Sequence, residues 1–195
     1  MCVAYEIAKY ETTIVMSCGF CGKRGKAIQK PYDGVDESVS NAEWGPFLWK
    51  TLHCIAEKVG RTGPSIEIDQ KNDFEFLILN MGNILPCKIC QKHYRDYLKD
   101  HTPDWKKLKG MSFHNEVVNW LFVLHNKVRS HSEQSIDIDT VEKCSALYKD
   151  CKISSIEMNR FNSIMSHATR MRIVKHDTLS RWMSIFNRLI ILTSD

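Results

Sequence analysis

Trp44, Leu48, Leu52, Ile55 and Val59 follow one another at steps of four, four, three and four, which places them on one face of an α-helix. The same period recurs in "SFHNEVVNWLFVLHNKVRS", where Phe113, Val117, Trp120, Leu121, Leu124 and Val128 form an apolar stripe and Ser112 is the expected N-cap. Between these two, "DFEFLILNMGNIL" reads as helix by its length, although "FLIL" alone would pass for a buried strand. Cys90, Tyr94, Tyr97 and Leu98 share a face in the stretch from Cys87 to about Asp100, and a short fifth helix is expected from about Asp139 to Tyr148. Pro46 is tolerable only within the first turn of the first helix, and "GRTGPS" ends it. Four such helices joined by short connectors bury their stripes against one another. The fold class is therefore all-α, a four-helix bundle with a short fifth helix.

Segments of different character flank the bundle. Residues 1–41, with "CGFCGKRGK" and "KPYDGVDESVSN", have no sustained period and read as a flexible arm. Residues 152–195 carry two amphipathic stretches, around Ile156–Val174 and Leu179–Ile191, and read as a helical extension. That extension holds seven Lys/Arg against three Asp/Glu, leaving twenty of each elsewhere, so the whole net charge of +4 lies in it. It reads as a separate interaction segment. The N-terminus mixes Glu6, Lys9 and Glu11 among apolar residues and lacks the pattern of a secretory signal. No run approaches the ~20 apolar residues of a membrane span, so the chain is expected to be soluble.

Eight cysteines among 195 residues are many for a chain without a signal. In a reducing compartment that density points to metal binding or redox chemistry. Two pairs are C-x-x-C: Cys18/Cys21 in the arm and Cys87/Cys90 in "LPCKICQKHY". Read alone, either pair could hold a metal, exchange electrons or fill space in a core. Cys87 follows Pro86, so a helix should start on it, and the helix N-terminus should stabilise its thiolate. Cys87 is then expected to be the exposed, attacking sulfur, with Cys90 one turn inside and facing the core. Cys144 and Cys151 could pair, or remain two free thiols. Seven residues of helix rise ~10.5 Å, so pairing requires the helix to end between them.

"WGPFLWKTLH" (44–53), "PCKICQKHY" (86–94) and "WLFVLHNKV" (120–128) occur in an order and spacing that resemble the FAD-linked sulfhydryl oxidases of the augmenter of liver regeneration family. The resemblance covers about residues 42–150. It implies a helical bundle holding FAD, usually as a homodimer, that makes disulfides and passes electrons to oxygen, giving hydrogen peroxide. By that resemblance Cys90 is the flavin-proximal cysteine and Cys87 the interchange cysteine. The cofactor-binding positions would be Trp44, Gly45, Pro46, Trp49, His53, Cys90, Tyr94, Trp120, His125, Asn126, Val128, Arg129 and Tyr148. Flat aromatic walls suit a planar ring system, and His53, His125 and Asn126 can donate to polar groups. The resemblance assigns Cys18 and Cys21 as a shuttle that carries electrons from bulky thiol substrates to Cys87.

The chain also departs from the family pattern. Pro46 stands where the family has Arg, Arg129 replaces the second Asn of H-N-x-V-N, and Lys99 falls where a structural cysteine would partner Cys144. Arg129 could supply the lost charge to a diphosphate. Expected domains are the arm 1–41, the FAD-binding unit 42–151 and the extension 152–195. Expected partners are thiol-containing proteins or a small redox carrier protein and oxygen, with no nucleic acid, no metal and no membrane span. The divergent motifs and the added tail point to the virus-encoded members, hence host cytoplasm or virion, with the mitochondrial intermembrane space as the alternative. The competing reading is a zinc-binding helical module using Cys18, Cys21, Cys87 and Cys90, although the two pairs lie much farther apart than the ~15–20 residues usual for zinc sites. A thioredoxin-like oxidoreductase would need strands around its C-x-x-C.

Overall fold

The structure is a computed structural model and describes residues 39–130 and 138–193. Among these residues every regular element is helical: α1 (Asn41–Ala56), α2 (Pro64–Met81), α3 (Lys88–Asp100), α4 (Gly110–Ser130), α5 (Val141–Tyr148), α6 (Ser155–Arg170) and α7 (His176–Leu192). Helix α1 packs on α4, α3 on α2, and α5 on both α1 and α4. The apolar faces meet in the middle: Leu52 and Ile55 of α1, Phe74, Leu77 and Ile78 of α2, and Phe113, Val117 and Leu121 of α4 are fully buried. With no strand among the described residues, the "FLIL" segment is helix and the thioredoxin-like alternative falls away. No described helix is long and apolar enough to cross a membrane.

Helix α2 begins at Pro64, nine residues before its apolar period becomes visible, because the inward face of its first half is polar. Glu67, Gln70 and Asp73 are all buried there, and each has a partner. Glu67 Oε2 accepts the Gly110 N–H at 2.8 Å, Gln70 Oε1 accepts the Gly60 N–H at 3.1 Å, and Asp73 pairs with Arg188. Gly60 has φ +74°, and a Cβ there would lie 2.8 Å from the Gly110 carbonyl oxygen, so only glycine makes this turn.

Two other local expectations differ. Helix α1 starts at Asn41, so Pro46 sits in its second turn and removes one backbone hydrogen bond. The earlier start is favoured because Val39 and Asn41 are buried and the Trp44 indole N–H donates to the Val39 carbonyl. Helix α4 starts at Gly110, which puts Ser112 inside the first turn rather than at the cap; its hydroxyl donates back to the Lys109 carbonyl at 2.7 Å.

The extension packs on the bundle. Helix α6 lies on α1, with Phe161 and Phe47 centroids 4.9 Å apart, and α7 lies on α2. The Trp182 indole donates to the Leu77 carbonyl at 3.0 Å and stacks on Phe186, and the Gln70 amide donates to the Leu192 carbonyl at 2.9 Å. Cys54 on α1 is joined to Cys151, just past α5, with Cα atoms 5.6 Å apart and a sequence separation of 97. A cross-link closing so long a loop stabilises by roughly 2–4 kcal/mol. Trp182 is 1% exposed, so Trp182→Ala is expected to cost about 3–5 kcal/mol, read as a lower urea midpoint. The same change at exposed Ile191 should stay within ~0.5 kcal/mol.

Candidate active site: a disulfide in the wall of an aromatic cleft

Pro86 cannot donate a backbone hydrogen bond, and α3 begins two residues after it. Cys87 is the N-cap, and its Sγ accepts the Cys90 N–H at 3.2 Å. The two sulfurs form a disulfide, with Cα atoms 5.2 Å apart. Both cysteines are buried, Cys87 at 1% exposure and Cys90 at 6%. The expectation of an exposed Cys87 is therefore not met: it sits in the same apolar cluster as Leu85, Ile173 and Val174. Asn41 Oδ1 lies 3.7 Å from Cys90 Sγ, so a reduced Cys90 thiol would find an acceptor on the first residue of α1.

Cys90 forms part of the wall of a cleft of about 460 Å³ between α1, α3 and α4. Trp44, Leu48 and Trp49 line it from α1, Tyr94 and Tyr97 from α3, and Leu124 and Val128 from α4. Its polar lining comes from residues not foreseen in the sequence: His93, Asp96, Asp100, His101 and Lys127. Tyr94 is fixed by its hydroxyl, which donates to the Ile78 carbonyl at 2.8 Å, and burial holds that phenol well above its ordinary range. Trp120 does not line the cleft. It stands behind it, with its indole donating to the His101 carbonyl at 3.0 Å and its ring edge-on to Tyr97. Gly45, Pro46, His53, His125, Asn126, Arg129 and Tyr148 are not among the lining residues either. Cys18 and Cys21 lie outside the described residues.

Beside the cleft four rings form two stacked pairs joined through the histidines. Trp49 lies flat on His125 at 4.1 Å, and Tyr148 lies flat on His53 at 4.6 Å. The two histidines meet edge to edge, His53 Nε2 to His125 Nδ1 at 3.0 Å, and Cys144 Sγ is 3.6 Å from His53 Nδ1. Cys144 is a buried free thiol, and Cys151 is bonded to Cys54, so neither a Cys144–Cys151 bridge nor two free thiols is found. Helix α5 ends between them, at Tyr148, yet the two cysteines do not pair.

Burial, and then Glu57, push the Cys144 thiol up to about 11, so it stays protonated and donates. His53 Nδ1 must then accept, which puts the His53 proton on Nε2 and makes His125 Nδ1 the acceptor in turn. His125 is left with its proton on Nε2, ready to donate to something else. Neither ring is charged: burial, with Arg129 second, lowers His53 to about 3, and burial, His53 and Arg129 hold His125 well below its ordinary value.

These depressed values carry a pH prediction. The unfolded chain takes up protons on both rings as pH falls through about 6.5, whereas the folded chain does so only far lower. The unfolded state then binds more protons, so stability falls with pH between about 6.5 and 5, above the range where carboxylates titrate. His53→Asn should flatten that slope in urea titrations; an unchanged slope would contradict the neutral pair.

The sequence model of the Erv1 / Alr family matches residues 46–149, just over half of the chain. The FAD-linked sulfhydryl oxidase of African swine fever virus (isolate Tick/Malawi/Lil 20-1/1983) is 28% identical over 95 residues, which is 48% of this chain and 71% of the viral protein. No solved structure matches the chain significantly. The family match takes in the Cys87–Cys90 disulfide, both histidines and all of α5.

Proposed function

The chain belongs to the Erv1/Alr family, and from that premise we propose that the Cys87–Cys90 disulfide is the catalytic centre of an oxidase that introduces disulfides into protein thiols. It is a sulfhydryl oxidase, and its cofactor is FAD. The observation that carries the assignment is the position of Cys90, a disulfide sulfur in the wall of a cleft lined by flat rings.

The residues present fit such a cofactor. The cleft, about 460 Å³, lies within the ~300–1,000 Å³ usual for small-molecule sites. Trp44, Trp49, Tyr94 and Val128 offer apolar and aromatic surface to a planar ring system. Lys127, His93 and His101 in the lining can donate to polar and anionic parts. His125, stacked on the lining residue Trp49, and Arg129 stand outside the lining and are proposed to reach those parts from beside it. Bound FAD supplies the two-electron acceptor that a reduced cysteine pair needs, with oxygen as the final acceptor and hydrogen peroxide as the product.

The chain's own chemistry is thiol–disulfide exchange. Once Cys87, 1% exposed in the resting structure, is uncovered, a substrate thiolate attacks its Sγ and the Cys87–Cys90 bond breaks. Cys90 leaves as thiolate, which on protonation can donate to the Asn41 amide oxygen. The second substrate thiol then displaces Cys87 and closes the substrate disulfide. The substrate has lost two electrons and two protons, and the pair has gained them. Cys18 and Cys21 of the arm (1–41) are proposed as the relay between bulky substrates and Cys87, with 42–151 as the cofactor unit and 152–195 as its extension. A homodimer in the host cytoplasm or the virion is the setting that the family and the viral relative favour. The zinc-module reading requires Cys87 and Cys90 as thiolate ligands, whereas here each sulfur is spent on the other.

Oxygen consumption with dithiothreitol tests the assignment. Cys87→Ser and Cys90→Ser should each reduce turnover by at least about a hundredfold, and wild-type rates from either variant would refute the centre. Cys18→Ser should leave dithiothreitol oxidation intact and slow oxidation of a reduced protein. Equal losses on both substrates would remove the shuttle. Arg129→Ala should weaken FAD binding in an equilibrium titration by roughly tenfold, the equivalent of about 1.4 kcal/mol.

A further inference from the structure

The turn between α6 and α7 is fastened to the start of α3. Lys88 Nζ donates to the Ile173 carbonyl at 2.6 Å, and the Gln91 amide donates to the same oxygen at 3.2 Å. Gln91 also donates to the Leu85 carbonyl at 2.8 Å, so one side chain holds the residues before the disulfide and the turn beside it. Ile173 and Val174 point inward and are buried, whereas Arg170, Arg172, Lys175 and His176 are exposed. Arg172 has φ 56°, a left-handed conformation rare for a residue other than glycine.

The charge on this face is predominantly positive. Residues 167–176, "HATRMRIVKH", contain no acidic residue, and α3 adds exposed Lys88 and Lys92. Of the carboxylates nearest in sequence, Asp96 pairs with Lys99, and Asp177 is fully exposed beside His176. Among the described residues no ion pair neutralises Arg170, Arg172 or Lys175. Ile89, between the two cysteines, is 48% exposed, a large apolar side chain on the same helix start. The buried disulfide therefore has beside it an apolar contact and a set of unneutralised cations.

We propose that the α6–α7 turn and the start of α3 form a docking ledge for an acidic stretch of the polypeptide whose thiols are oxidised. Ile89 takes an apolar residue of the substrate, and Arg170, Arg172 and Lys175 take its carboxylates. This rests on the assignment of Cys87–Cys90 as the oxidising pair and specifies the substrate that the pair serves. Carboxylates across such a rim speed encounter and select partners more than they add to affinity. A nucleic acid could satisfy the cations, but it would leave Ile89 and the neighbouring disulfide without a role.

The test compares two reduced peptides, each with two cysteines, one flanked by four glutamates and the other by four serines. The wild-type chain should oxidise the acidic peptide with a kcat/KM about tenfold higher, and salt at about 0.5 M should remove the difference. The variant Arg170→Glu/Arg172→Glu/Lys175→Glu should lose the preference while keeping its dithiothreitol rate. Equal rates for both peptides in the wild type, or a preference retained by the variant, would overturn the ledge. A DNA duplex bound by the wild type and not by the variant, with no peptide preference, would assign the face to nucleic acid and overturn it as well. Fluorescence anisotropy of the same peptides with serines in place of the cysteines reads docking without turnover. If dithiothreitol is not oxidised yet the acidic peptide still binds selectively, the oxidase assignment fails and the ledge stands only as an acidic-peptide site, its link to oxidation overturned.

Discussion

Cys87 closes the N-terminus of α3 with its own sulfur, and the arrangement of the site follows from that one hydrogen bond. Because the cap accepts the Cys90 N–H, the second sulfur is fixed one turn along and within reach of the first. Pro86 keeps the helix from running back through Leu85, the residue before a proline being biased away from the helical region. With the start of α3 set, Tyr94 and Tyr97 follow at helical spacing and join Cys90 on the face that lines the cleft. Helix α1 supplies the opposite wall through Trp44 and Trp49. A shift of α3 by one residue would rotate Cys90 by about 100° and turn it away from the cleft.

The surrounding structure holds that helix start from both sides. On the bundle side, Tyr94 is tied to α2 through the Ile78 carbonyl. On the other side, Lys88 and Gln91 are tied to Ile173 in the extension. The extension is registered in turn by buried polar contacts with α2, where Asp73 meets Arg188 and Gln70 bridges Gly60 and Leu192. Buried polar groups left unpaired cost more than apolar contacts slightly misplaced, so these pairs define a single seating for α7. The basic tail thus turns an apolar face to the bundle and leaves part of its charge beside the disulfide.

Much of this was legible in the sequence where periodicity and chemistry agreed. The stripes of α1 and α4 pointed to the bundle, and the C-x-x-C after a proline pointed to a helix start that carries two cysteines within bonding reach. Trp44, Trp49, Cys90, Tyr94 and Val128 do gather at one cleft. The first half of α2 was invisible because Glu67, Gln70 and Asp73 occupy its buried face, and a period search registers only apolar residues. The partner of Cys151 was invisible because Cys54 is nearly a hundred residues away and lies in an otherwise ordinary apolar stripe. Cys87 was expected outside because a lone helix start is exposed; the α6–α7 turn beside it is a tertiary contact with no local signature. The cleft's charged lining, Asp96, Asp100 and Lys127, looked like any solvated helix face.

The central claim is that a planar cofactor sits in the cleft beside Cys90. The visible absorption spectrum of the purified chain, before and after incubation with FAD and removal of the excess, tests it most directly. The account predicts a yellow protein whose flavin bands persist after gel filtration, at one flavin per chain. A protein that stays colourless after that incubation would contradict it.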